Sequence, residues 1–121
     1  FKVAALKAST SQAFVESTAP QAILVPAKSY DEALGLLFED KIDVIIADYP
    51  FCAFTAFRHK EKGLVAGKAP LTFEPLGIAV KEDTLLINWL TNYMNMLDGS
   101  GQLKKLNNRW FKSSSWMKNI E

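Results

Sequence analysis

The sequence predicts an α/β protein: a three-layer open sheet with crossover helices, followed by C-terminal helices. Three observations carry this. Strand and helix signals alternate through the first half of the 121 residues. Asp43-Val44-Ile45-Ile46-Ala47 is an unbroken, β-branched run of the kind found in strands covered on both faces. Two Ser-x-x-Gln/Glu sequences, at Ser9–Gln12 and Ser29–Glu32, have the capping-box form that opens a helix after a strand.

Lys2 to Leu6 is a short apolar run and the first strand. Ser9 and Gln12 cap a helix running toward Thr18, which Pro20 ends. Ala22 to Ala27, rich in Ile23, Leu24 and Val25, is the second strand. Ser29 and Glu32 then cap a helix whose Tyr30, Ala33, Leu34, Leu37 and Phe38 form one buried stripe. After the break at Asp40-Lys41 comes the strand Asp43–Ala47, and Asp48-Tyr49-Pro50 starts another helix, proline being tolerated in a first turn.

The second half differs. Residues 70–75, bounded by Pro70 and Pro75, form an extended linker, and Leu76-Gly77-Ile78-Ala79-Val80 reads as a return strand. Asp83 or Thr84 caps a long helix with the stripe Leu86, Trp89, Leu90, Tyr93 and Leu97, stopped by Gly99 and Gly101. A final helix carries Leu103, Leu106 and Trp110, and the tail Ser113-Ser114-Ser115-Trp116 follows. Helical spacing favours a core role for Trp89, Tyr93, Trp110, Phe111 and Trp116. The expected division is 1–81, an α/β domain with its return strand, and 82–121, a helical segment.

Composition excludes several classes. The chain is 49% hydrophobic and 22% charged with a formal net charge of +1, so no surface for nucleic acid or a polybasic membrane patch is expected. The charge run Arg58–Lys62 mixes signs and marks a solvated helix end. No stretch reaches the length of a membrane span, and no secretory leader opens the chain. One cysteine, Cys52, permits no internal disulfide; its apolar setting suits a small buried hydrophobe better than a nucleophile paired with His59. No phosphate loop, metal-spaced cluster or nucleophile elbow is present, and no cofactor is expected.

Open parallel sheets bind ligands at the carboxyl ends of their strands. Those ends fall at Lys7 to Ser11 and at Ala47 to Tyr49. Ser9 and Thr10 open a helix, where backbone N–H groups and the helix dipole suit an anion such as a carboxylate. Asp48 can accept hydrogen bonds from an ammonium. Lys7 can donate at the same rim, and Tyr49 can wall a pocket. Locally, capping explains Ser9 and Asp48 equally well, solvation explains Lys7, and packing explains Tyr49. The ligand reading gains from the placement of an anion site and a cation site on one rim, as a zwitterion requires.

Four segments in order resemble the second lobe of bacterial extracellular solute-binding proteins of family 3. Residues 3–11, Val3-Ala4-Ala5-Leu6-Lys7-Ala8-Ser9-Thr10-Ser11, resemble its opening strand and "G-T-T" turn. Residues 29–34 and 40–48 resemble its helix and the following "G-x-x-D-A-x-x-x-D". Leu71-Thr72 with residues 75–81 resembles its "G-I-A-V" return strand, and Gly101-Gln102-Leu103 to Arg109-Trp110-Phe111 its closing "G-x-x-x-x-L-x-x-x-W-F". The resemblance implies one lobe of a type II periplasmic binding fold, and a bilobed clamp for amino acids or similar polar solutes that serves an ABC permease in the periplasm or outside the cell. It implies that Thr10 helps hold the ligand carboxylate, that Asp48 holds the ammonium, and that Lys7 matches a position contacting ligand side chains in some members. Ala8 stands where the family has glycine, and neither Arg58 nor Arg109 sits in the motif of the first lobe's carboxylate-binding arginine. The resemblance also implies that residues 82–121 pack on a first lobe this chain lacks, leaving aromatics to drive a homodimer, with C-terminal elements exchanged. The same fold serves periplasmic cyclohexadienyl or arogenate dehydratases and the sensor lobes of larger receptors, the alternatives to a transport role; a dehydratase would have only Asp48, Lys7 and Tyr49 to work with here.

Overall fold

The computed structural model describes residues 1–113 and 115–119. Ser114, in the serine tail, lies outside the described residues. Two compact units form, Phe1–Cys52 and the chain from Ala53 onward.

The first unit is α/β. Strands β1 (Lys2–Leu6), β2 (Ile23–Ala27) and β3 (Val44–Ile46) make a parallel sheet in the order β2-β1-β3. Helix α1 (Thr10–Thr18) connects β1 to β2, and α2 (Tyr30–Phe38) connects β2 to β3. The chain steps from β1 to one edge, then back across to the other. Right-handed crossovers therefore put α1 and α2 on opposite faces of the sheet. In the register of the sheet, Leu6 pairs with Ala27, and Ala5 with Ile46.

Small residues make this sandwich close. Ala4 and Ala5 on the central strand are fully inaccessible, and side chains alternate faces along a strand. Ala4 packs with Ala27, Ala33 and Ile42, flanked by Val25, Leu36, Leu37 and Ile45. Val15 of α1 is also fully buried.

Both serine caps are present, in an extended form. Gln12 N–H donates to Ser9 Oγ at 3.2 Å and Glu32 N–H to Ser29 Oγ at 3.1 Å. In both helices the reciprocal arm reaches one residue further back than the usual box: Ala8 N–H donates to Gln12 Oε1 at 2.8 Å, and Lys28 N–H to Glu32 Oε2 at 2.6 Å. Helix α2 ends in a left-handed Asp40, with Lys41 N–H donating to Leu36 O.

One expectation about β3 is corrected. Val44 is exposed and Ile45 and Ile46 are half-buried, so the strand is not covered on both faces. It lies at the edge of a three-stranded sheet, where a β-branched run meets too little cover. Its amino end is tied instead by Lys2 N–H donating to Asp43 Oδ2 at 2.7 Å.

Helix α3 (Tyr49–Arg58) runs into the second unit and ends near a 3₁₀ turn, Lys60–Lys62, closed by left-handed Gly63. In that unit α4 (Thr84–Gly99) is capped by Asp83, whose carboxylate accepts from Leu86 N–H at 3.0 Å. Helix α5 (Gln102–Asn107) continues into a π-helical turn, Asn108–Lys112. No helix among the described residues is long and apolar enough to cross a membrane.

Two further expectations fail here. Leu76–Val80 forms no strand, and Leu76 and Ile78 are exposed. A strand needs a ladder partner to satisfy its N–H and C=O groups, and this segment has none among the described residues. The aromatics expected in a core are instead exposed: Trp89 is 61% accessible, Tyr93 42%, Trp110 41% and Phe111 45%, while Trp116 is half-buried. Of the α4 stripe only Leu97 is buried. Helical spacing reports a coherent apolar face, not the presence of something to cover it. The rings pair locally: Trp89 stacks on Tyr93, and Trp116 Nε1 donates to Trp110 O at 3.0 Å.

Candidate functional site

Parallel pairing brings all three strands to end at one edge of the first unit. The connections leaving that edge carry Lys7–Ser9, Lys28–Ser29 and Ala47–Asp48. Lys7 and Asp48 each lie two residues beyond the Ala5–Ile46 pair, so neighbouring strands deliver them at the same level. Lys7 N–H also donates to Ala27 O at 2.8 Å, which joins the first connection to the end of β2.

The β1–α1 turn is tightly internally bonded. Ser9 Oγ donates to Leu6 O at 2.6 Å while accepting from Gln12 N–H. The hydroxyl's single proton is thus committed, and an anion at this turn would draw its donors from elsewhere. Ala8 takes φ +59°, a left-handed conformation that favours glycine. Thr10 is exposed as the first residue of α1.

At the β3–α3 turn, Asp48 and Tyr49 are exposed. The Asp48 backbone carbonyl accepts from Cys52 N–H at 3.1 Å, as the residue before a helix does. Among the described residues its carboxylate accepts no hydrogen bond, unlike that of Asp83 before α4. The two aspartates precede helices alike, yet only Asp83 is bonded through its side chain.

Tyr30, read from the sequence as a stripe residue, reaches this region instead. Its ring stacks on Phe51 of α3, centroids 3.9 Å apart and planes 20° from parallel. Burial pushes its phenol pKa above the usual 10.0, with the negative charge of Asp48 and then Cys52 adding to the rise. No local signal could have found this pair, because the two residues come from different connections.

Cys52 Sγ donates weakly to Ala47 O at 3.6 Å. Burial raises its thiol pKa first of all; the bond to Ala47 opposes this and Asp48 adds to it. A thiol held protonated is a poor nucleophile. Among the described residues no group of three or more histidines, cysteines and carboxylates could hold a metal ion. Neither arginine that the sequence set aside is unengaged: Arg58 lies over the Phe54 ring at 5.5 Å and Arg109 over Trp110 at 4.9 Å.

Lys7, Ser9 and Thr10 thus share one connection, Asp48 and Tyr49 the neighbouring one, and both leave the same sheet edge. The edge offers a helix N-terminus, a lysine and an unbonded carboxylate, the elements for holding a small molecule that carries both charges.

No family model matches the chain. It is 30% identical over 112 residues, 92% of its length, to the ABC transporter glutamine-binding protein GlnH of Bacillus subtilis (strain 168). The chain spans 40% of the length of that curated relative.

Proposed function

We propose that this chain is one lobe of a solute-binding protein that captures an amino acid or similar polar solute for an ABC importer, outside the cytoplasmic membrane. The observation that carries the reading is the shared sheet edge, where the turn of Lys7, Ser9 and Thr10 stands beside the turn of Asp48 and Tyr49. The similarity to a binding protein supports the same reading. Thr10 and the backbone N–H groups opening α1 bind the ligand carboxylate, and Ser9 shapes that turn as its cap. Asp48 binds the ammonium, Lys7 reaches the ligand side chain, and Tyr49 lines the rim.

The chain supplies half of a clamp. The relative is much longer, and the rest of the protein would supply the opposing lobe. In this reading residues 82–121 form the segment that packs on that lobe, which covers Trp89, Tyr93, Trp110 and Phe111. Its absence leaves them exposed, and the isolated chain associates through them as a homodimer.

Calorimetric titration of the full-length protein with an amino-acid panel, beside its Asp48→Ala variant, tests the assignment. Tight binding of one amino acid, weakened by about thirtyfold or more in the variant, is expected, since losing one partner of a buried charge pair costs about 2–5 kcal/mol. Equal affinity in the variant would remove Asp48 from the site. No binding anywhere in the panel would sink the amino-acid reading.

A further inference from the structure

The stack of Tyr30 on Phe51 joins two connections that the sheet itself does not tie together. Tyr30 opens α2, just past the end of β2; Phe51 lies in the first turn of α3, three residues beyond Asp48. β2 and β3 are the outer strands and share no ladder, since β1 lies between them. The strand leading to Asp48 is only three residues long and stands at the sheet edge, its last recorded pair at Ile46. Bonds around the turn, Cys52 N–H to Asp48 O and Cys52 Sγ to Ala47 O, run between neighbouring turns of the same segment. They shape the turn without anchoring it sideways. The carboxylate itself accepts no bond among the described residues that would aim it. The ring stack is therefore a lateral tie on the segment that carries it.

We infer that Tyr30 is a positioning residue for Asp48: stacked on Phe51, its ring locks the β3–α3 turn to the β2–α2 connection and so sets where the cation-binding carboxylate stands. The inference rests on the assignment of Asp48 to the ligand ammonium. The contact that matters is the ring rather than the hydroxyl, because stacking is made by the face. The phenol nevertheless reports the arrangement, since its titration feels the charge of Asp48 and, less, of Cys52.

The test uses the full-length protein in two arms. Without ligand, alkaline titration of phenolate absorbance, with Tyr30→Phe subtracted to isolate Tyr30, is compared between wild type and Asp48→Asn. The Tyr30 midpoint falls in Asp48→Asn; an unmoved midpoint overturns the proposed placement. In the second arm an amino-acid panel beginning with L-glutamine is titrated calorimetrically. Tyr30→Phe, which keeps the stack, binds as wild type does. Tyr30→Leu and Phe51→Leu, which break it from either side, each lose about three- to tenfold in affinity, the scale of one aromatic pair. Circular dichroism shows which variants fold, and either leucine variant suffices. Wild-type affinity in a folded leucine variant, or equal loss in Tyr30→Phe, overturns the positioning role. A wild type that binds no amino acid, with the phenol still answering to Asp48→Asn, fails the solute reading instead, and the ligand role of Tyr30 goes with it.

Discussion

Residues 1–52 and the chain from Ala53 onward are built from the same kinds of apolar residue, and they bury them very differently. In the first unit Ala4 and Ala5 are inaccessible, and α1 and α2 both pack on the sheet. In the second, α4 presents Leu85, Trp89 and Ile87 to solvent, and Phe73 and Leu76 are over nine-tenths accessible. A parallel βαβ unit contains both sides of its own interface within a short stretch of chain, so it closes by itself. A helix with an apolar stripe is only one side of an interface. The first unit thus buries apolar residues within itself, whereas the second leaves most of its large apolar side chains exposed.

Overfilling the alanine layer should have the largest effect on the stability of the first unit. Ala4→Leu should destabilise the chain by about 1–3 kcal/mol, because the added methylenes have no space between β1 and α2. Urea unfolding reads this as a lower midpoint. An unchanged midpoint would mean that the first unit is loosely packed after all.

Next in size is a gain. Ala8→Gly relieves a left-handed alanine and should stabilise by about 1 kcal/mol, part of which the more flexible unfolded chain takes back. The same unfolding experiment reads it. A loss would show that the alanine methyl makes a contact worth more than the strain.

A smaller effect lies at alkaline pH and is confined to the first unit. The Tyr30 phenol is raised in the folded state, so folding favours its protonated form. Its contribution to stability is complete below the ordinary 10.0 and is lost as pH rises from there through the folded value. Cys52 behaves likewise from its ordinary 9.0 upward. Stability should therefore fall with pH in this range, and less steeply in Tyr30→Phe; identical slopes would remove the phenol from the account.

The smallest stability effect is expected in the second unit. Trp89→Ser, at a position 61% accessible, should move stability by no more than about 0.5 kcal/mol. Light scattering of the isolated chain should nonetheless show weaker self-association. A monomeric wild type at high concentration would remove that interface.

Much of the first unit was readable from local signals. Both serine caps, the break after Phe38 and the three strands follow from residues close together in sequence, where spacing and hydrogen bonding decide. The left-handed conformation of Ala8, by contrast, was not read from the sequence. The candidate residues were readable too, since alternating strands and helices place Lys7, Ser9, Thr10, Asp48 and Tyr49 at one edge. The return strand at Leu76–Val80 was misread because a strand is made by its partner, which no local pattern records. Helical spacing alone misread the aromatics of α4 and of the π-helical turn after α5 for the same reason.

Local sequence fixes the turns of the first unit, the serine caps of α1 and α2, and which residues reach the carboxyl edge of the sheet. These are short-range matters of backbone conformation and periodicity. Long-range packing is what makes β3 an edge, leaves the Asp48 carboxylate without a hydrogen bond among the described residues while the one before α4 caps its helix, and brings Tyr30 to Phe51. Those outcomes depend on which distant segments come together and what surface is left over, and burial and stacking are properties of that meeting rather than of either segment alone.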